Sequence, residues 1–199
     1  MRIINQQIYF KVLFFGTALA GKTTTLNWAY KNIIPESMKS SQDVRSVKTS
    51  FGQTMLFDFV PIKISDNIHI RFFTATGQDY YAGTRKMLFQ DIDGVFFVVD
   101  SQKHELEHNK EFVTEFYQHL NSFVLDANDL SIIVLYNKQD LTEIYPADFL
   151  RKELELEQFP SYETCAVDGL NIKGAFSHMV QLCLKKLEGL RVQHAKSQT

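Results

Sequence analysis

The 199-residue chain is 45% hydrophobic and 22% charged, with 21 Lys and Arg against 23 Asp and Glu for a formal net charge of −2. At this length roughly 70% of the unfolded surface can be buried, so one domain needs neither disulfides nor a structural metal to hold a core. The charge balance predicts no nucleic-acid face and no polybasic membrane face, and Cys165 and Cys183 lack metal-ligand or disulfide-framework spacing.

Short apolar runs alternate with segments of helical period, which predicts a mainly parallel α/β sheet in a single domain. Residues 8–15 read as a buried strand ended by a turn at Gly16, and 22–33 as a helix. The Ser-, Lys- and Gln-rich stretch 35–50 has no period and reads as a long loop. Residues 55–64 and 68–74 form a predicted hairpin turning at Ser65, Asp66 and Asn67, and Pro61 puts its first strand at the sheet edge.

The runs 94–99 and 131–136 are continuously apolar, as buried parallel strands are. Between them Phe112, Val113, Phe116, Tyr117, Leu120, Phe123 and Val124 mark one face of a long helix. A helix from Pro146 through Leu156 and a last one through Ile172, Phe176, Met179, Cys183 and Leu187 complete the pattern, followed by a polar, frayed tail. The expected division is a domain over 1–188 and a tail over 189–199.

The sharpest signal is Gly16-Thr17-Ala18-Leu19-Ala20-Gly21-Lys22-Thr23, a G-x-x-x-x-G-K-[ST] loop after a strand and before a helix. Its backbone N–H groups and the helix N-terminus suit the anionic oxygens of a nucleoside triphosphate. Lys22 supplies a cation to the β- and γ-phosphates and the Thr23 hydroxyl an oxygen to Mg²⁺. The second signal is Asn137-Lys138-Gln139-Asp140 directly after a strand, where open α/β sheets bind ligands. A carboxylate at Asp140 accepts from guanine N1–H and N2–H₂, whereas adenine offers no donors there. Asn137 is placed to tie this loop to the phosphate loop, and the Lys138 stem to lie along the base.

On these motifs the chain resembles the Ras superfamily of small GTPases from about residue 8 to 187, and most closely the MglA-like prokaryotic group. The narrower resemblance is carried by Thr24-Thr25-Leu26, by 54–61 (TMLFDFVP), by Thr74-Ala75-Thr76-Gly77-Gln78, by Tyr81, Arg85 and Lys86, and by Val98-Val99-Asp100-Ser101-Gln102. It implies a P-loop NTPase three-layer sandwich, the Ras-like G domain, with a mainly parallel six-stranded sheet and one antiparallel edge strand. It further implies that residues 17–24 bind phosphate, Thr54 closes over the γ-phosphate and Mg²⁺, Gly77 contacts phosphate, Gln78 orients the attacking water, and Cys165, Ala166 and Val167 border the base.

Two departures from the family pattern carry expectations of their own. Thr74 stands where most small GTPases have a metal-shell Asp, and Ile64 paired with Ile68 would set Asp58 across from Thr74, so Asp58 is the candidate replacement. Gln53 stands where the MglA-like group has an arginine, which predicts slow intrinsic turnover, with Arg45 weighed as a substitute.

The implied function is a guanine-nucleotide switch using GTP or GDP with Mg²⁺ and hydrolysing GTP slowly. The alternative is a nucleotide-loaded scaffold with little hydrolysis; an ATP-dependent phosphotransferase lacks a second substrate site. Implied partners are a GTPase-activating protein of roadblock type, an exchange factor and effectors, with a monomeric chain on its own and a role in polarity or motility. Phe51, Phe57, Phe73, Tyr80, Tyr81 and Phe89 suit a partner surface, and core packing explains several of them equally well. No run reaches the ~18 residues of a membrane span, Arg2 replaces the Gly that myristoylation needs, and the C-terminus is no prenylation box. A cytoplasmic chain without an intrinsic membrane anchor is therefore expected.

Overall fold

The computed structural model describes residues 1–39, 47–48, 54–55, 59–75, 86–123 and 130–196, with side chains at 47–48, 54–55, 59–60 and 190–196 left aside. The strands are β1 (Arg2–Ile4), β2 (Gln7–Phe15), β3 (Val47–Lys48), β4 (Thr54–Met55), β5 (Phe59–Ser65), β6 (Ile68–Thr74), β7 (Gly94–Asp100), β8 (Ser131–Asn137) and β9 (Ser161–Glu163). The long helices are α1 (Lys22–Asn32), α2 (Leu106–Ser122), α3 (Ala147–Glu153) and α4 (Ile172–Lys196).

The main sheet runs in the order β5-β6-β2-β7-β8-β9, parallel throughout except for the antiparallel β5–β6 pair at one edge. Pro61 lies on that edge strand, the position in a sheet where a residue without an N–H is tolerated. The six-stranded expectation needs one correction, because β1 adds a seventh strand antiparallel to β2. It pairs with Gln7, Ile8 and Tyr9, whereas β7 reaches β2 only from Val12 to Phe15, so β1 fills the stretch of β2 that β7 leaves open. Asn5 and Gln6, with φ of 50° and 65°, make the two-residue turn, a conformation favoured for joining twisted antiparallel strands.

Strand alternation sorts β2 into two cores. Phe10, Val12 and Phe14 pack with α1 and α4 residues such as Leu26, Phe176 and Met179, while Leu13 and Phe15 pack with Phe89, Phe112 and Phe116 on the other face. Phe14, Phe72, Phe96 and Phe176 form an aromatic cluster with centroids 4.8–6.5 Å apart, each ring burying on the order of 1.5–3 kcal/mol of apolar surface. Phe89, offered above as a partner-surface residue, is fully buried against Phe15 and His119, so core packing claims it.

Other boundaries moved for local reasons. The helix after Pro146 stops at Glu153 rather than Leu156, and Glu155 takes a positive φ of 52° that ends it. The last helix continues to Lys196, beyond Leu187, its last buried residue among those whose side chains are described. The expected strand 55–64 is two elements: β4 pairs with β3 in a separate two-stranded sheet, and β5 begins at Phe59.

Candidate functional site

Because β2, β7 and β8 are parallel neighbours, the segments leaving their C-terminal ends emerge along one edge of the sheet. These are the loop from Gly16, the Asp100–Gln102 turn and the Asn137–Asp140 turn, joined by the loop after β9 that carries Cys165–Val167. The two motifs, 121 residues apart in the chain, are thus set side by side by strand order.

Asn137 is the junction. Its side-chain amide donates to the Ala20 carbonyl at 2.7 Å, while its Oδ1 accepts from the Ala166 backbone N–H at 3.0 Å and from the Thr164 hydroxyl at 3.3 Å. One buried side chain therefore locks the phosphate loop to both base-side loops. Gly21, with φ of 98°, is held to glycine by this contact, since a Cβ there would lie 2.2 Å from the Asn137 Nδ2.

Within the loop Lys22 is buried and its ammonium donates to the carbonyls of Gly16, at 2.8 Å, and Thr17. The Thr17 hydroxyl is buried without a hydrogen-bond partner among the described residues. Helix α1 has Gly21 as its N-cap and no side-chain cap, which leaves first-turn N–H groups to an external acceptor. Ala18, Leu19, Thr23 and Thr24 are exposed and Ala20 is buried. An orphaned buried hydroxyl, a lysine and an uncapped helix end fit a polyphosphate, and the exposed Thr23 hydroxyl at the same end fits a metal that shares phosphate oxygens.

On the base side Asp140 is exposed and accepts from the Cys165 thiol at 3.2 Å, and burial is the chief cause that pushes that thiol above its ordinary pKa. Val167 is 69% exposed beside the buried Ala166. Lys138 takes φ of 71° and pairs with the buried Asp100, whose carboxylate also accepts from the Gln102 backbone N–H at 3.1 Å. Leu19, with φ of 60°, is a second left-handed non-glycine residue at this edge, and such strain of order 1–3 kcal/mol collects at functional sites.

The motif reading did not pick out Asp100, Thr164 or Asn109 as supports of this site. Asn109 is fully buried and clasps Asp100 through 2.8 Å and 3.2 Å bonds to its backbone. A polar residue on the inward face of a helix is the signal that could have found it.

The remaining candidates divide by position. Thr54 lies on β4 opposite Lys48, and Thr74 is buried at the end of β6. Gln53, Arg45, Asp58, Gly77 and Gln78 lie outside the described residues, as do Phe51, Phe57, Tyr80 and Tyr81. The hairpin keeps the expected register from Phe59↔Phe73 to Lys63↔His69, but a bulge at Ile64 makes the closing pair Ser65↔Ile68.

Residues 1–183 match the ADP-ribosylation factor family. The chain is 28% identical over 188 residues to the mutual gliding-motility protein MglA of Myxococcus xanthus, covering 92% of this chain and 95% of that one. It is 23% identical over 194 residues to the human ADP-ribosylation factor-like protein 4A, covering 94% and 90%. Among solved structures it resembles the Arl6 BBS3 small GTPase of Trypanosoma brucei bound to the nucleotide analogue GppNp, with a TM-score of 0.66, 18% identity, and coverage of 89% and 99%. No helix among the described residues is long and apolar enough to cross a membrane.

Proposed function

The chain belongs to the ADP-ribosylation factor family of small GTPases, and from that premise we propose that it is a guanine-nucleotide switch that loads GTP or GDP with Mg²⁺ and hydrolyses GTP slowly. The observation that carries this reading is Asn137, whose one side chain braces the phosphate loop and both base-side loops.

The N–H groups of residues 17–24 and the Lys22 ammonium hold the phosphates, and preformed donors of this kind stabilise charge as it moves toward the leaving group. Asp140 accepts from the guanine edge, the Lys138 stem flanks the ring and is steadied by Asp100, and the Cys165–Val167 loop closes the other side. Gly77 meets the γ-phosphate and Gln78 orients the attacking water. Thr23, Thr54 and Asp58 are the residues that would hold Mg²⁺, which would neutralise developing phosphate charge.

GTP in this site orders the segments around Thr54 and Gln78, and hydrolysis releases them, so that effectors, an exchange factor and an activating protein of roadblock type read the state in the cytoplasm. The domain spans 1–188, the tail 189–199, and the chain is monomeric alone. A scaffold that holds nucleotide without turning it over is kept in view by Thr74, a neutral hydroxyl in a buried position where a metal-shell carboxylate is usual in small GTPases.

The single tryptophan offers the test, because Trp28 packs against Gly169 in the loop that follows Ala166. Loading GDP into nucleotide-free protein should change Trp28 fluorescence, and excess GTP should chase the signal where equal ATP does not. With EDTA in place of Mg²⁺ the wild type should release GDP faster, and Asp58→Asn should lose most of that difference. Displacement by ATP as effective as by GTP would refute guanine selection, and an unchanged metal effect in the variant would remove Asp58 from the metal set.

A further inference from the structure

At the opposite end of the strands from Asn137, the sheet face below the second core carries a ladder of cations and rings. Register and alternation put Lys63, His69, Tyr9 and Arg2 in one row across β5, β6, β2 and β1, and Arg71 and Lys11 side by side in the next. Neighbouring strands lie about 4.8 Å apart, so the last two are adjacent.

A cleft of about 150 Å³ opens here, bounded by Arg2, Tyr9, Lys11, Arg71, Phe73 and Asp91. Its acidic groups are already engaged: Asp91 pairs with Arg2, and Asp93 with the Met1 amine and Lys186. Neither Lys11 nor Arg71 has an ion pair among the described residues. Rings hold them instead, the Arg71 guanidinium 4.0 Å from the Tyr9 centroid and the Lys11 ammonium 5.4 Å from that of Phe73. Tyr9 is backed by His69, stacked at 4.9 Å, and the Lys11 ammonium also donates to the Gln90 carbonyl at 2.8 Å.

A guanidinium fixed on a ring presents its fork in a set direction, the geometry that favours bidentate carboxylate binding. On a chain whose net charge is −2, with Asp91 and Asp93 paired to other cations, two adjacent half-buried cations with no carboxylate at ion-pair distance among the described residues leave the cleft locally positive. Their recess in a cleft, on side chains pinned by rings, favours a protruding carboxylate over a flat bilayer, which meets cations on free stems. We propose that this face is a docking site for an acidic segment of a partner protein, with one carboxylate forked on Arg71 and a second on Lys11.

This inference rests on the sheet face and not on the nucleotide reading. Burial lowers the Lys11 pKa to about 8, against Asp91 and Asp93, which raise it, and Arg2, which lowers it further. Lys11 therefore loses charge as pH rises through that value, and carboxylate binding should weaken between pH 7 and 9.

A fluorescein-labelled hexaglutamate peptide, titrated against the full chain at low salt with anisotropy as the readout, tests the proposal. Wild type should bind it and not the hexaglutamine control. Arg71→Gln and Lys11→Gln should each weaken binding about tenfold, the loss expected for a charge-assisted bond. Lys185→Gln on the exposed side of α4 should change nothing. The fall in affinity from pH 7 to 9 should shrink in Lys11→Gln, a readout that misfolding does not mimic, and both variants should retain GDP as wild type does. Equal binding of the two peptides, or hexaglutamate affinity untouched in both variants, overturns the proposal; so does binding to phosphatidylserine vesicles without binding to the peptide. Peptide binding by a chain that loads no guanine nucleotide would leave this face standing and refute the switch.

Discussion

Replacing Asn137 by Ala should cost about 3 kcal/mol of stability and prevent nucleotide loading. The substitution strands three buried groups, the Ala20 carbonyl, the Ala166 N–H and the Thr164 hydroxyl, and each unsatisfied group costs about 1–3 kcal/mol, partly recovered by relaxation. Against a total stability of about 5–15 kcal/mol this is a large fraction, and it corresponds to a fall in Tm of roughly 6–12 °C for a chain of this size. Circular dichroism melts and GDP loading check the two effects separately. A melting temperature within a degree or two of wild type would mean that Asn137 is not the brace between the loops.

Asp140→Ala should do the reverse, leaving the fold intact and removing affinity. Asp140 is exposed, and its one hydrogen bond among the described residues is from the weakly donating Cys165 thiol, so the melting temperature should shift little. On the proposed reading its carboxylate accepts two guanine N–H donors in the loaded state, each charge-assisted bond being worth about 1.5–3 kcal/mol, so GDP affinity should fall by about 10² to 10⁴. ATP affinity should not fall with it. If GDP and ATP affinities drop together, Asp140 supports the loop and does not read the base.

The contrast between these residues shows what the sequence made legible. Strand-loop-helix context around Gly16 and the post-strand position of Asn137 fixed which loops share an edge, because parallel strands bring their C-terminal ends together. The hairpin register from Phe59 to Lys63 followed from the apolar alternation of Val60, Ile62, Ile70 and Phe72, and Ile62, Ile70 and Phe72 lie in the first core. The closing pair did not follow, since a bulge at Ile64 leaves no trace in a pattern of period two.

Two strands of the main sheet escaped notice because they are three residues long, β1 exposed and β9 with no residue buried, too short for either period to register. Asp100 stood in a family-like stretch, but its supporting role, held by Asn109 and pairing Lys138, was equally hidden, since buried polar networks depend on which elements meet and not on local spacing. Phe89 stayed open between core and partner surface for a related reason: aromatic content marks both alike, and only packing separates them.

The most direct test of the switch is a single-turnover time course of GDP formation from purified, GTP-loaded protein with Mg²⁺, comparing wild type with Gln78→Leu. A switch predicts slow, complete conversion in wild type and almost none in the variant, with both proteins holding their nucleotide throughout. GTP that stays intact in wild type over hours, or conversion at the same rate in Gln78→Leu, would contradict it.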